Sequence, residues 1–268
     1  DPVLNKYGLS MHEGFDAHHI VDDIDFIVVS GAHSNDQNPE YVAAKEKNIK
    51  IQSHAEALGE LMDNFALRIS VCGSHGKTTT SAMLATIFSK SSLKGAHHIG
   101  VPDFSGLDGG MFNGTDYIIV EADEYATNPQ VDNTPRFAFQ HPNILACTNI
   151  DFDHPDVYKD LEAVQKVFGE FMLATLNKSG KVVYCGDDPA LSKVVAELPK
   201  DNLFSYGTSE SDDLVISQIQ DNAHETSFQC TLRGEDLGIF HIELPGQHNI
   251  LNAACAILVS HLSKIEMP

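Results

Sequence analysis

Residues 71–88 read VCGSHGKTTTSAMLATIF, and no other stretch restricts the possible folds as strongly. An apolar run over 67–72 breaks at Gly73 and Gly76, then resumes from Lys77 with helical spacing, which reads as strand, tight turn, helix. Such a turn is a phosphate cradle. Its glycines let the backbone approach a ligand and turn N–H groups inward, and the new helix presents its positive N-terminus. Lys77 can then reach the outer phosphates and the Thr78 hydroxyl can ligate Mg2+. The spacing is shorter than in the usual P-loop: only two residues separate the glycines, and Val71 stands where the first glycine of the longer form would be.

At 268 residues the chain can bury a substantial core and form one large domain or two smaller ones, of which we expect more than one. Lys and Arg total 17 against 38 Asp and Glu, a net charge of 17 minus 38, or -21. That balance argues against nonspecific nucleic-acid binding and against docking on an anionic membrane. It also repels nucleotides, so a bound triphosphate needs local Lys, helix dipole and metal ions. The cysteines at 72, 147, 185, 230 and 255 are scattered in apolar surroundings, as expected of reduced thiols in a cytoplasmic core. No apolar run has the length of a membrane helix. The chain opens on Asp1, and nothing before Ile20 looks like the start of a domain, so a fragment is expected.

Residues 1–24 are polar, and His12, His18 and His19 among them read as surface rather than metal ligands. A buried strand over 25–30 precedes a loop in which Asn38 and Pro39 cap and open a helix. A strand over 49–52 and a helix over 54–63 follow, half of a parallel α/β unit without a glycine-rich first turn. Residues 1–62 are therefore expected to be the tail of a small α/β domain, and 63–268 a second domain built around the cradle.

Within that second part, residues 101–116 are rich in Gly and Asp and read as a loop near a ligand. The strand over 117–120 delivers Glu121, Asp123 and Glu124 at its C-terminal end, the edge where ligands sit in an open parallel sheet. Carboxylates there suit Mg2+. Residues 125–142 read as a polar, proline-punctuated loop, and long loops of this kind are often functional. A strand over 143–148 ends in TNIDFDHPD, where a neutral His154 can ligate a second metal. An amphipathic helix over 161–176, a strand over 181–185 and a helix from about 190 precede short segments that read as an antiparallel meander. The last helix begins near GQHNILN, where the amides of Asn249 and Asn252, beside His248, can read a purine edge.

GSHGKTTT, EADEY, TNIDFDHPD and GQHNILNAACA occur in the order and rough spacing of the Mur ligases, the ATP-dependent amide-forming enzymes of peptidoglycan precursor synthesis, and the chain resembles that family over nearly all of residues 18–263. The segment over 30–62 is most similar to the branch that joins L-alanine to UDP-N-acetylmuramate, with a weaker similarity to the branch that attaches a recycled tripeptide. The resemblance implies an α/β fold: a parallel-sheet P-loop ATPase domain with an appended antiparallel hairpin, preceded by the end of a UDP-binding domain. The family's third domain is expected to be absent, so this chain by itself is expected to keep a nucleotide site and to be inactive or weakly active as a ligase. It also implies a cytoplasmic enzyme with ATP and Mg2+ as cofactors. Gly73, Ser74, His75, Gly76, Lys77, Thr78 and Thr79 would cradle the phosphates, and Thr78 and Glu121 would hold one Mg2+ and His154 the second. His248, Asn249 and Asn252 would line the adenine and ribose site. Lys77, Glu121 and His154 are then the catalytic residues. A Mur-like nucleotide-binding module without ligase activity is the alternative, and the insertion over 125–142 leaves the amine acceptor open. Lys166, the nearest candidate for a carbamylated lysine, is left out because the alanine-adding branch looks to lack one.

Overall fold

The computed structural model describes residues 8–31, 33, 36–128, 132–153, 155, 157–221 and 225–265. The first part contains β1 (Phe26–Val29), α1 (Pro39–Glu46), β2 (Lys50–Ser53) and α2 (His54–Met62). Then come β3 (Leu67–Cys72), α3 (Lys77–Ser89), β4 (Ala96–Phe104), β5 (Leu107–Phe112), β6 (Tyr117–Glu121), β7 (Ala126–Asn128), β8 (Asp132–Pro135) and β9 (Ile144–Cys147). The remainder is α4 (Leu161–Asn177), β10 (Lys181–Cys185), α5 (Pro189–Ala196), β11 (Leu203–Gly207), β12 (Leu214–Asp221), β13 (Thr226–Leu232), β14 (Glu235–Ile242) and α6 (Gln247–Leu262).

Ten strands form one sheet in the order β14-β13-β12-β11-β10-β9-β3-β6-β4-β5. From β12 to β4 every neighbouring pair is parallel. Parallel strands are covered on both faces and so are apolar throughout. β9 is buried at every position, and in β6 Tyr117, Ile118, Ile119 and Val120 are all buried. The alternation along β6 separates two layers. Tyr117 and Ile119 pack with Leu84, Ala85 and Phe88 of α3, whereas Ile118 and Val120 pack with Met62 of α2 and with Phe65. α3 and α6 pack against each other, and α4 and α5 form a second helical pair. The antiparallel meander expected after residue 204 is β12-β13-β14, appended to the parallel sheet through β11.

β1 and β2 pair in parallel in a separate two-stranded sheet, with a small core of Ile20, Ala43 and Ala44. α1 opens as its sequence predicts, with Pro39 in the first turn and the Asn38 side chain accepting from the Glu40 N–H at 2.9 Å. Ser53 and Glu56 form a reciprocal capping box at the start of α2.

Three expectations are corrected. β1 is not buried: its residues alternate between exposed and half-buried, with Phe26 and Val28 exposed. Residues 101–116 are not a loop: most of them form the β4–β5 hairpin at the sheet edge. Ser105 and Gly106 both have positive φ, the geometry of a tight two-residue turn, so Gly106 serves the hairpin. The stretch over 125–142 contains β7 and β8 in a small antiparallel sheet and then a 3-10 turn, Arg136–Phe139. Phe137 anchors that turn, being 1 % exposed and stacked 4.5 Å from Phe171 of α4.

Candidate functional site

The switch in strand order falls at β3, which lies between β6 and β9. Crevices outside the carboxyl ends of parallel strands form at such points. Register decides what reaches this one: Cys72 pairs with Cys147 and Val71 with Glu121, so the turn after β3, the TNID segment after β9 and the acid ending β6 emerge on one edge.

The turn itself is shaped by its glycines. Gly73 has φ 137°, and a Cβ there would lie 2.0 Å from Thr148 Oγ1. Gly76 has φ 83°, and a Cβ there would lie 2.5 Å from Asn252 Oδ1. Residues 148–151 brace the turn from the side. Thr148 Oγ1 donates to the His75 carbonyl at 2.6 Å, and Asn149 bonds His75 twice, accepting from its N–H at 2.8 Å and donating to its carbonyl at 2.9 Å. The Ser74 N–H donates to the Asn149 carbonyl at 3.1 Å, and Ser74 Oγ accepts from the Asp151 N–H at 2.8 Å. The acidic TNIDFD stretch thus shapes the cradle through amide and hydroxyl groups.

Lys77 begins α3 and folds back, donating from Nζ to the Gly73 carbonyl at 2.7 Å and to Glu124 Oε2 at 3.1 Å. Thr78 Oγ1 donates to Glu121 Oε2 at 2.9 Å, and the other oxygen of Glu121 accepts from the Gly100 N–H at 2.7 Å. Thr79 follows in the first turn of α3. The three acids at the end of β6 and just beyond it therefore divide their work: Glu121 faces Thr78, Asp123 accepts from the Tyr125 hydroxyl at 2.8 Å, and Glu124 faces Lys77. The pairing of Lys77 with Glu124 went unrecognised in the sequence, although the EADE motif carried the signal.

Thr78 and Glu121 are hard oxygen donors within bonding distance of each other, a donor set that fits Mg2+ together with phosphate and water oxygens. His154 lies outside the described residues. Among the described residues no cluster of three or more His, Cys, Asp or Glu could hold a metal by itself. His18 and His19 instead pair with Asp16 and Glu40. Lys166 is exposed on α4, 3.9 Å from Glu170.

On the other side of the turn, a cavity of about 250 Å3 is lined by Gly76, Asn149, Asp187, Tyr206, His248 and Asn252, among others. Gly246 rather than Asn249 occupies the cap position of α6, so the side chain of Asn249 is available to bond the Pro245 carbonyl at 2.8 Å. Asn252 is 6 % exposed and accepts from Thr80 Oγ1 at 3.3 Å, which ties α6 to α3 beneath the cradle. His248 and Asn252 line this cavity and Asn249 stands beside it, so the structure brings the three residues together with Gly76.

All five cysteines are free and buried. Burial pushes the Cys185 thiol up to about 11 and the Cys230 thiol up to about 12, so these groups stay protonated and inert. Among the described residues no helix is long and apolar enough to cross a membrane.

A glycine turn after a central parallel strand, a lysine at the following helix N-terminus and an acid on the neighbouring strand define an α/β protein of the P-loop class. Within it, the chain belongs to the Mur ligase family: the Mur ligase middle domain matches residues 71–260, and the model described as Mur ligase family, catalytic domain, matches residues 3–66. It is 34% identical over 244 residues to the UDP-N-acetylmuramate--L-alanine ligase of Lactiplantibacillus plantarum, covering 90% of this chain and 50% of the relative. Among solved structures, the UDP-N-acetylmuramate:L-alanyl-gamma-D-glutamyl-meso-diaminopimelate ligase from Neisseria meningitides superposes with a TM-score of 0.80 at 26% identity, covering 97% of this chain and 81% of that one. The UDP-N-acetylmuramate-alanine ligase of Thermotoga maritima has the same fold, with a TM-score of 0.77 at 22% identity over 98% of this chain and 56% of its own. The chain spans about half the length of the curated relatives it matches.

Proposed function

We propose that this chain carries the nucleotide site of an ATP-dependent amide ligase that joins L-alanine to UDP-N-acetylmuramate in the cytoplasm. Residues 1–62 would contribute to the UDP-binding part and residues 63–268 form the ATP-binding part. The observation that carries the reading is the convergence of Lys77, Thr78 and Glu121 on one sheet edge, with Thr78 Oγ1 2.9 Å from Glu121 Oε2. Support for the substrates comes from the names of relatives at 34% identity.

In the chemistry this implies, a carboxylate oxygen of the muramoyl group attacks the γ phosphorus of ATP, the bond to the β,γ-bridging oxygen breaks and ADP leaves. The amine then attacks the acyl carbon, inorganic phosphate leaves and the amine gives up a proton. Gly73 to Thr79 bind and orient the phosphates, and Lys77 neutralises charge on the transferring group. Mg2+ held by Thr78 and Glu121 supplies further neutralisation when bound. His248, Asn249 and Asn252 present donors and acceptors to the base and ribose, and His154 is proposed for the second ion. No nucleic acid or membrane has a part in this reading, since a chain with net charge -21 repels both.

Calorimetric titration with a non-hydrolysable ATP analogue, with and without Mg2+, tests the site. Magnesium-dependent binding that Lys77→Ala abolishes is the expected result, and Mg2+-independent binding indifferent to Lys77 would refute it. The fold similarity to the Neisseria ligase favours a second reading in which the amine is a recycled tripeptide. Competition between L-alanine and the tripeptide for amide formation by the full-length enzyme separates the two.

A further inference from the structure

The insertion over 125–142 supplies a cation to a second cavity. Beside the phosphate cradle lies a space of about 450 Å3, lined by Thr78 and Glu121 together with Arg136, Tyr125, His54 and His98. Arg136 comes from the 3-10 turn that Phe137 anchors in the core, and His54 is the first residue of α2. The guanidinium is held from both sides. Its Nη1 donates to the Tyr125 hydroxyl at 3.2 Å, its Nη2 donates to His54 Nδ1, and the group sits 5.2 Å from the centre of the Tyr125 ring.

Arg can only donate, so His54 must accept at Nδ1 and carry its proton on Nε2. Burial, and then the Arg136 charge, lower the His54 pKa in agreement with that neutral tautomer. Among the described residues the hydrogen-bond partners of Arg136 are a phenol and an imidazole, and no carboxylate pairs with it. Asp123 lines the same cavity and reaches the guanidinium only through the Tyr125 hydroxyl, which donates to it at 2.8 Å. A fixed guanidinium without a directly bonded carboxylate, in a chain of net charge -21, is a fork suited to a planar oxyanion. Glu121 and Asp123, which line the same cavity, would repel such an anion until a cation compensates them. A phosphoryl-accepting carboxylate meets that condition, because it arrives where the nucleotide and its metal already are.

We propose that Arg136 binds the carboxylate that accepts the phosphoryl group, with His54 a positioning residue that aims the guanidinium from the N-terminal part of the chain. The assignment rests on the nucleotide site proposed above. In this arrangement the placement of α2 relative to the sheet decides whether the acceptor is gripped, and the bond from Arg136 to His54 carries that placement to the guanidinium.

The test uses the chain loaded with Mg2+ and a non-hydrolysable ATP analogue, titrated by nuclear magnetic resonance with N-acetylmuramate and, separately, with N-acetylglucosamine, which lacks the lactyl carboxylate. N-acetylmuramate is expected to shift the Arg136 Nε–H signal and N-acetylglucosamine is not. Arg136→Lys keeps the charge without the fork and should weaken N-acetylmuramate about tenfold, while Arg136→Ala removes binding. His54→Leu should weaken it severalfold, as expected when only the aim is lost. Nucleotide uptake without N-acetylmuramate binding, or N-acetylmuramate affinity equal in wild type and both Arg136 variants, overturns the assignment and leaves the nucleotide site standing. Failure of the wild-type chain to take up nucleotide overturns the nucleotide reading and this assignment with it.

Discussion

Lys77 Nζ lies 3.1 Å from Glu124 Oε2, with the two side chains 14% and 2% exposed. The lysine that would meet phosphates therefore has a buried counter-ion before any ligand arrives, and the same bond fixes its direction. Removing either partner leaves the other charge poorly compensated in a low-dielectric site. Glu124→Gln is expected to cost about 2 kcal/mol of stability, read from urea midpoints. Lys77→Ala should cost about 3 kcal/mol and lower nucleotide affinity roughly a hundredfold.

Gly76 is required twice over, by its φ of 83° and by Asn252 Oδ1 2.5 Å from where a Cβ would stand. Gly76→Ala should lose about 2 kcal/mol through backbone strain and a displaced Asn252. Because Asn252 also lines the cavity beside the turn, calorimetry should show nucleotide affinity falling together with the thermal midpoint.

Thr148 serves two carbonyls with one hydroxyl, His75 at 2.6 Å and Cys72 at 3.2 Å. Thr148→Val preserves shape and removes the donor, so about 1–2 kcal/mol should be lost. Hydrogen exchange should report the loss as faster opening at residues 73–76, with the sheet core unaffected.

His97 is 2 % exposed, its Nε2 donates to the Asp108 carbonyl at 2.8 Å, and its Nδ1 has no partner among the described residues. Burial pushes its pKa below the ordinary 6.5, and His54 shifts the same way. Below pH 6.5 the unfolded chain then binds more protons than the folded one. Stability from these groups is accordingly present above that pH and lost as pH falls through the folded values. Urea midpoints should drop on acidification from pH 7.5 to about 5.5, and His97→Gln, which still offers an amide to Asp108, should flatten the slope.

Much of the cradle was legible because its chemistry is local. Gly73, Gly76, Lys77 and Thr78 fall within six consecutive positions with their strand and helix on either side, and periodicity gave both elements close to their observed bounds. The capping of α1 by Asn38 and Pro39 was readable for the same reason. The Gly- and Asp-rich stretch over 101–116 was misread, since the glycines that mark a binding loop also mark a tight hairpin turn, and composition does not distinguish them. Within the 125–142 stretch, the apolar anchor Phe137 lies in the short run Phe137 to Phe139, too brief to show a periodicity.

The sequence by itself determined the class of fold and the glycine turn with Lys77 and Thr78 at the start of the helix that follows it, because short-range backbone geometry and side-chain type suffice for those. Only the tertiary structure decided which acid serves which partner. Glu121, Asp123 and Glu124 are interchangeable in composition, and their division between Thr78, Tyr125 and Lys77 follows from the register of β3 with β6 and the turn of the chain after it. The meeting of His54 with Arg136, 82 positions apart, likewise depends on α2 packing across the sheet face from α3. Such contacts between distant segments are set by the packing of whole layers, which no window of sequence contains.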